Sequence, residues 1–121
     1  MFKSKRSNPE FVNGVPELLL LRLLARAPSH GYELVQAIRA ASGQKLDFGE
    51  GCIYPILHRL ERQGYLKSSR QRCGGRPRYV YELTSKGQGR LAEGLSLWHQ
   101  VTSAVELVLQ GGTGNVRSSL A

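Results

Sequence analysis

The sequence predicts a mainly α-helical chain with a small antiparallel β-wing, a winged helix-turn-helix unit followed by a long C-terminal helix, and three observations carry that prediction. The positive charge is local: of a formal net charge of +8, residues 58–78 hold seven cations (Arg59, Arg62, Lys67, Arg70, Arg72, Arg76 and Arg78) against one anion, Glu61. A helical pattern with one apolar and one cationic face runs directly into that stretch. Two strand-like runs then follow, YLKSSRQR and RYVYELT, parted by Cys73, Gly74, Gly75, Arg76 and Pro77, which suits a hairpin loop. A solvated basic face is the plain reading of a charge run, but cations at this density repel one another and are best tolerated where a polyanion supplies counter-charge. A helix followed at once by a basic hairpin favours the second reading.

At 121 residues the chain holds one domain plus an extended element, with a core modest enough that cover from a partner chain is expected. Residues 1–12 form a basic N-terminal arm with Lys3, Lys5 and Arg6, read first as a floppy tail and second as an extra contact to a polyanion. The winged-helix unit is assigned to residues 13–84. Pro16 is expected to open its first helix, in which Leu18 to Leu21, Leu23 and Leu24 leave Arg22 and Arg26 as the solvent positions. Pro28 forces a break. Ser29 is the expected N-cap of a second helix, with Tyr32, Leu34, Val35 and Ile38 toward the core and Gly43 closing it. Leu46, Asp47 and Phe48 are expected to form the brief third strand that completes a small sheet.

The third helix starts near Gly51 or Cys52, because Pro55 fits best in a first turn where its missing N–H would be unpaired anyway, and Gly64 ends it. At 100° per residue, Ile53, Ile56, Leu57 and Leu60 fall on one side, and Tyr54, Pro55, His58, Arg59 and Arg62 on the other. The first side is core and the second a probe. In the hairpin, Tyr79, Tyr81 and Leu83 alternate with Arg78, Val80 and Glu82, as in a ribbon packed on one face. A helix of this kind enters a major groove, and Arg76 at the hairpin tip can reach a minor groove or a phosphate.

The last helix spans residues 85–110, capped by Thr84 or Ser85, ahead of a disordered tail at 111–121. Leu91, Leu95, Trp98, Thr102, Val105 and Leu109 recur in steps of four and three, a coiled-coil type of seam, and Leu97, Val101, Ala104 and Val108 lie beside it. An apolar face this wide wants more cover than one small domain offers, so the helix is assigned to homodimerisation, against the alternative that it folds back on its own core. Gly87, Gly89 and Gly94 lower its intrinsic helicity, so packing must stabilise it. Two copies paired this way set two third helices about one turn of DNA (~34 Å) apart, the geometry of an inverted repeat.

Catalytic chemistry finds no foothold. His30, His58 and His99 are scattered, and no Ser/His/Asp set, paired carboxylates or phosphate loop occurs, so no enzyme is expected. Cys52 and Cys73 sit in a basic segment without His at metal-like spacing, so neither a disulfide nor a metal site is expected, and no cofactor. Cys52 is read as a small buried filler, with a redox-sensitive thiol as the sharper alternative. The first residues lack the apolar segment of a signal peptide, and no apolar run approaches the ~20 residues of a membrane span, so a cytoplasmic protein without membrane contact is expected.

The motifs HGYEL (His30 to Leu34), GCIYPILHRLERQGYL (Gly51 to Leu66), GGRPRYVYELT (Gly74 to Thr84) and KGQGRL (Lys86 to Leu91), in this order, resemble the PadR family of bacterial transcriptional regulators. The resemblance runs from about Pro16 to about Leu109. It implies a homodimeric repressor that binds double-stranded operator DNA through Tyr32, Cys52, Tyr54, Pro55, His58, Arg59, Arg62, Arg76 and Arg78. Cys52 departs from the family, whose members often carry Ser or Thr there, so a hydroxyl contact to phosphate is not expected. Trp98 lies on the seam with Leu95 and Thr102. Two indoles across a two-fold axis either pack as core or stand apart as a slot for a small planar aromatic ligand, and short PadR-like regulators with tryptophan at the matching place take planar drugs there. The rival class is a basic module binding RNA or an acidic protein without sequence readout. The Tyr54, Arg59 and Arg62 face argues against it, because RNA binders more often show exposed aromatics on a sheet.

Overall fold

The computed structural model describes residues 9–111. The basic positions Lys3, Lys5 and Arg6 and all but the first residue of the expected tail lie outside them. In chain order the elements are α1 (Pro9–Arg26), β1 (Ser29–His30), α2 (Gly31–Ala41), α3 (Glu50–Arg62), β2 (Leu66–Cys73), β3 (Arg76–Leu83) and α4 (Ser85–Leu109). The strands form one antiparallel sheet in the order β1-β3-β2. The expected winged helix-turn-helix with a long last helix is the fold observed.

Three local expectations are corrected. Pro16 does not open α1: the helix starts at Pro9, and Pro16 is a buried residue inside it. The third strand is not Leu46 to Phe48 but Ser29–His30, which pairs with β3 as Ser29 with Tyr81 and His30 with Val80. The expected segment is folded on the end of α2 instead, where the Leu46 N–H donates to Ser42 Oγ (2.9 Å) after Gly43 and Gln44 have taken positive φ. Its backbone donor is therefore used locally and is not offered to a ladder. Finally, Ser29 does not cap α2. His30 does, with its backbone N–H donating to Glu33 Oε1 (2.9 Å) three residues on, one half of a capping box.

Two compact units result, residues 1–91 and 92–121. The core of the first joins Leu20, Leu21 and Leu24 of α1, Leu34, Val35 and Ile38 of α2, Ile53, Leu57 and Leu60 of α3, and Leu66 and Tyr81 of the hairpin. Tyr32, expected in this core, is half exposed on the surface. Leu91 is a core residue here, 7% exposed, and not a seam residue as expected. In the second unit Leu95, Trp98, Val101 and Thr102 are half-buried, while Leu97, Val105, Val108 and Leu109 are exposed.

The end of α3 is clamped to the first turns of α4. Gly64, at φ +85°, turns the chain out of α3. Thr84 Oγ1 then donates to the carbonyls of Gly64 (2.7 Å) and Tyr65 (3.0 Å) and accepts from the Gly87 N–H (3.0 Å), which caps α4. Gly87 is packed so closely that a Cβ there would collide with the Tyr65 carbonyl oxygen and lie 2.6 Å from Leu83 Cδ1, whereas a Cβ at Gly89 meets nothing. Gly87→Ala should therefore destabilise the protein by about 1–3 kcal/mol through overpacking, and Gly89→Ala should stabilise it by about 1 kcal/mol through helix propensity. Urea denaturation of the two variants checks both signs.

Candidate nucleic-acid interface

Helix α3 owes its orientation to its stripe of Ile53, Leu57 and Leu60, each with 0% exposure. With that stripe inward, Cys52, Pro55, His58 and Arg62 are exposed, and Tyr54 and Arg59 lie half-buried on the flanks. The reading of Cys52 as a buried filler is thereby corrected.

On one flank a groove of about 620 Å³ opens between the start of α2, α3 and β3. Tyr32 comes from α2, Tyr54 and His58 from α3, and Arg76, Arg78 and Tyr79 from β3, with Glu50 as the acidic residue among the lining. Tyr54 is seated by a missing side chain. A Cβ on Gly31 would come within 2.5 Å of its ring, so the glycine of the HGYEL motif is what lets the phenol lie across the start of α2. The Tyr54 and His58 ring centres are 6.3 Å apart, tilted by 49°. Burial, and then the charge of Glu50, push the Tyr54 hydroxyl above its usual range against the opposing pull of Arg78. It stays a neutral O–H donor at neutral pH. At the wing tip, Gly74 (φ +62°) and Gly75 (φ +82°) make the turn, and Arg72 Nη1 donates to the Gly75 carbonyl (3.3 Å). Glu61, the lone anion of the basic stretch, accepts from Ser68 Oγ (2.7 Å), tying α3 to β2.

The other flank holds a residue that sequence reasoning missed. Glu17 of α1 is 8% exposed, and its carboxylate accepts from Arg59 Nη2 (3.0 Å) at one oxygen and from Arg90 Nε (2.7 Å) at the other. Arg59 Nη1 also donates to Gln63 Oε1 (3.2 Å). Arg59, expected on the probing face, is thus turned toward α1. Arg90 lies 5.3 Å from the centre of the Tyr65 ring, and Lys86 Nζ lies 5.0 Å from it while donating to the Gln63 carbonyl (2.7 Å). Burial raises the Glu17 carboxyl, but hydrogen bonds and charge from Arg90 and Arg59 outweigh it and hold the group below the usual carboxylate range. Nothing local marks Glu17, because its partners lie 42 and 73 residues away.

Among the described residues no group of His, Cys, Asp and Glu could hold a metal ion, and no helix is long and apolar enough to cross a membrane.

The sequence model of the transcriptional regulator PadR-like family matches residues 20–93. The chain is similar to transcriptional regulator Rv3488 of Mycobacterium tuberculosis, 36% identical over 84 residues, covering 69% of this chain and 76% of that one. Among solved structures it is similar to a PadR family transcriptional regulator from Eggerthella lenta, with a TM-score of 0.72 and 31% identity over 85% of this chain and 88% of that one. A second similar structure, from Streptococcus mutans, has a TM-score of 0.73 and 29% identity over 82% and 90% of the two chains.

The depressed Glu17 carboxyl has a pH signature of definite sign. Its stabilisation is fully present above the ordinary value of 4.5 and is lost as pH falls through the lower folded value. Unfolding free energies measured from pH 6 downward should fall more steeply for the wild type than for Glu17→Gln, the difference shrinking once both carry a neutral side chain.

Proposed function

The chain belongs to the transcriptional regulator PadR-like family and is a transcriptional regulator, not an enzyme, and on that premise we propose that it is a repressor binding an inverted-repeat operator as a homodimer. The observation that carries this reading is the groove in which Tyr54 and His58 of α3 meet Arg76 and Arg78 of the wing, with Pro55 and Arg62 exposed on the same helix. The exposed α3 face is shaped for base edges in a major groove. In this reading Arg76, Arg78 and the Tyr54 hydroxyl take the flanking phosphates, which position the protein without reading sequence. Replacing Arg76 or Arg78 by Ala should weaken binding to every duplex and lower the salt slope by about 0.9 for each phosphate no longer neutralised. Replacing His58 or Arg62 should in addition alter which operator is preferred. Fluorescence anisotropy against operator, unrelated duplex and single-stranded RNA, with footprinting on the DNA upstream of its own gene, makes the test. Equal affinity for RNA and operator would favour a basic module without sequence readout.

Homodimerisation is supported by the uncovered apolar positions of α4, with Val105 48% and Leu109 73% exposed beside Leu95, Trp98, Val101 and Thr102. Thr102 fits an apolar seam because its hydroxyl donates to the Trp98 carbonyl of its own helix (2.9 Å). Release by a small planar aromatic ligand between paired Trp98 side chains belongs to the same reading, since a ligand that prefers one separation of two such helices shifts the spacing of the DNA-reading helices. Val105→Glu should cost several kcal/mol by leaving an uncompensated charge in the seam. Sedimentation of that variant should show monomer, and a planar cationic dye should quench Trp98 fluorescence in the wild-type dimer but not in the monomer.

A further inference from the structure

We infer that Glu17 is a specificity-determining residue for DNA recognition: its buried carboxylate holds Arg59 back from the DNA-facing surface of α3. The inference rests on the DNA-binding reading above. Arg59 directly follows His58 and stands three residues before Arg62, so an unrestrained guanidinium at this position would be within reach of a phosphate beside α3. Instead both its terminal nitrogens are engaged on the protein side, Nη2 with Glu17 Oε1 (3.0 Å) and Nη1 with Gln63 Oε1 (3.2 Å).

The competition between Glu17 and a phosphate is unequal. The Arg59 side chain is 37% exposed, so a polyanion can approach it, but the Glu17 side chain is 11% exposed. If Arg59 leaves, Glu17 keeps Arg90 but is left with one poorly hydrated oxygen without a donor, whereas a solvent-screened phosphate offers the arginine a weaker attraction. Arg90, on the other Glu17 oxygen at 2.7 Å, anchors the carboxylate from the start of α4 and keeps it aimed. Glu17 therefore holds Arg59 even beside DNA.

The consequence concerns selectivity more than affinity. A phosphate contact strengthens binding to all duplexes alike and carries no sequence information, so withdrawing one cation from the reading helix lowers the background without weakening base readout. The restraint raises the ratio of operator to non-operator affinity.

The test is a mutant cycle read on a non-operator duplex across a salt series, with far-UV circular dichroism and melting on each variant. Arg59→Gln should keep the wild-type affinity and salt slope. Glu17→Gln should raise non-operator affinity by about 3- to 10-fold and steepen the slope by about 0.9, the signature of one more neutralised phosphate. The double variant should return to the wild-type slope. Glu17→Asp, which retains the charge with a shorter reach, should fall between, and decides the matter if Glu17→Gln does not fold. A reduced slope in Arg59→Gln would overturn the inference, since Arg59 would then already touch phosphate. So would folded Glu17 variants with an unchanged slope, or a double variant that keeps the increase, which would trace it to Arg90. A wild-type protein without salt-dependent duplex binding would instead sink the DNA-binding reading itself.

Discussion

Burial of Ile53, Leu57 and Leu60 is the interaction on which the rest of the winged-helix unit depends. Each side chain is worth about 1.5–3 kcal/mol in transfer from water, against about 0–1 kcal/mol for an exposed ion pair. The apolar stripe therefore sets the rotation of α3 about its axis, and the polar contacts adjust to it. Once it is set, Tyr54 must lie toward α2 and the wing, Arg59 toward α1, and Pro55, His58 and Arg62 toward solvent. A rotation of α3 by one residue would bring Tyr54 into the core and carry Leu57 outward, which no surface charge could offset.

The polar contacts act at the ends and flanks of the same helix. Ser68 holds Glu61, Glu17 holds Arg59, and Lys86 and Thr84 take the carbonyls of Gln63, Gly64 and Tyr65. These ties run from α3 and the turn after it to β2, α1 and the start of α4, so three neighbouring elements have a polar hold on α3 or its end. Gly31 and Gly87 serve the same end by absence of a side chain, one admitting the Tyr54 ring and the other the Tyr65 carbonyl. Polar ties with defined donors and acceptors add orientation where aliphatic packing alone would tolerate sliding.

Much of this was legible in the sequence because it is periodic or punctuated. The inward stripe of α3 and the outward Pro55, His58 and Arg62 follow from 100° spacing, and Gly64, Gly74 and Gly75 all take the positive φ their places require. The illegible parts have no period. Glu17 reads as one polar residue in an apolar helix until Arg59 and Arg90 are brought to it, and with it went the correct facing of Arg59. A two-residue strand such as Ser29–His30 is too short to alternate, so its pairing with β3 leaves no local trace, while Leu46 to Phe48 looked stronger by composition. Pro16 lies inside α1, so the helix-start signal of a proline does not by itself say where the helix begins. The only general clue to Glu17 is a carboxylate directly ahead of a run of leucines, which calls for a cation if it is buried, but nothing in the sequence says which of the chain's many cations supplies it.

The short strand β1 has a consequence for the order in which the protein assembles. Ser29 and Tyr81 are joined across roughly fifty residues of chain, a closure whose entropy is met by only two residues of ladder. The α2 and α3 pairing, by contrast, is local, as is the β2 and β3 hairpin. Contacts of high sequence separation and small area form late and open first. The groove beneath the wing has walls on both sides of that joint, His30 and Tyr32 on one and Arg78 and Tyr79 on the other. Its walls thus meet across the sheet's smallest and most distant pairing, so a local separation of β1 from β3 would part the groove while the hairpin and the α2–α3 packing stay whole.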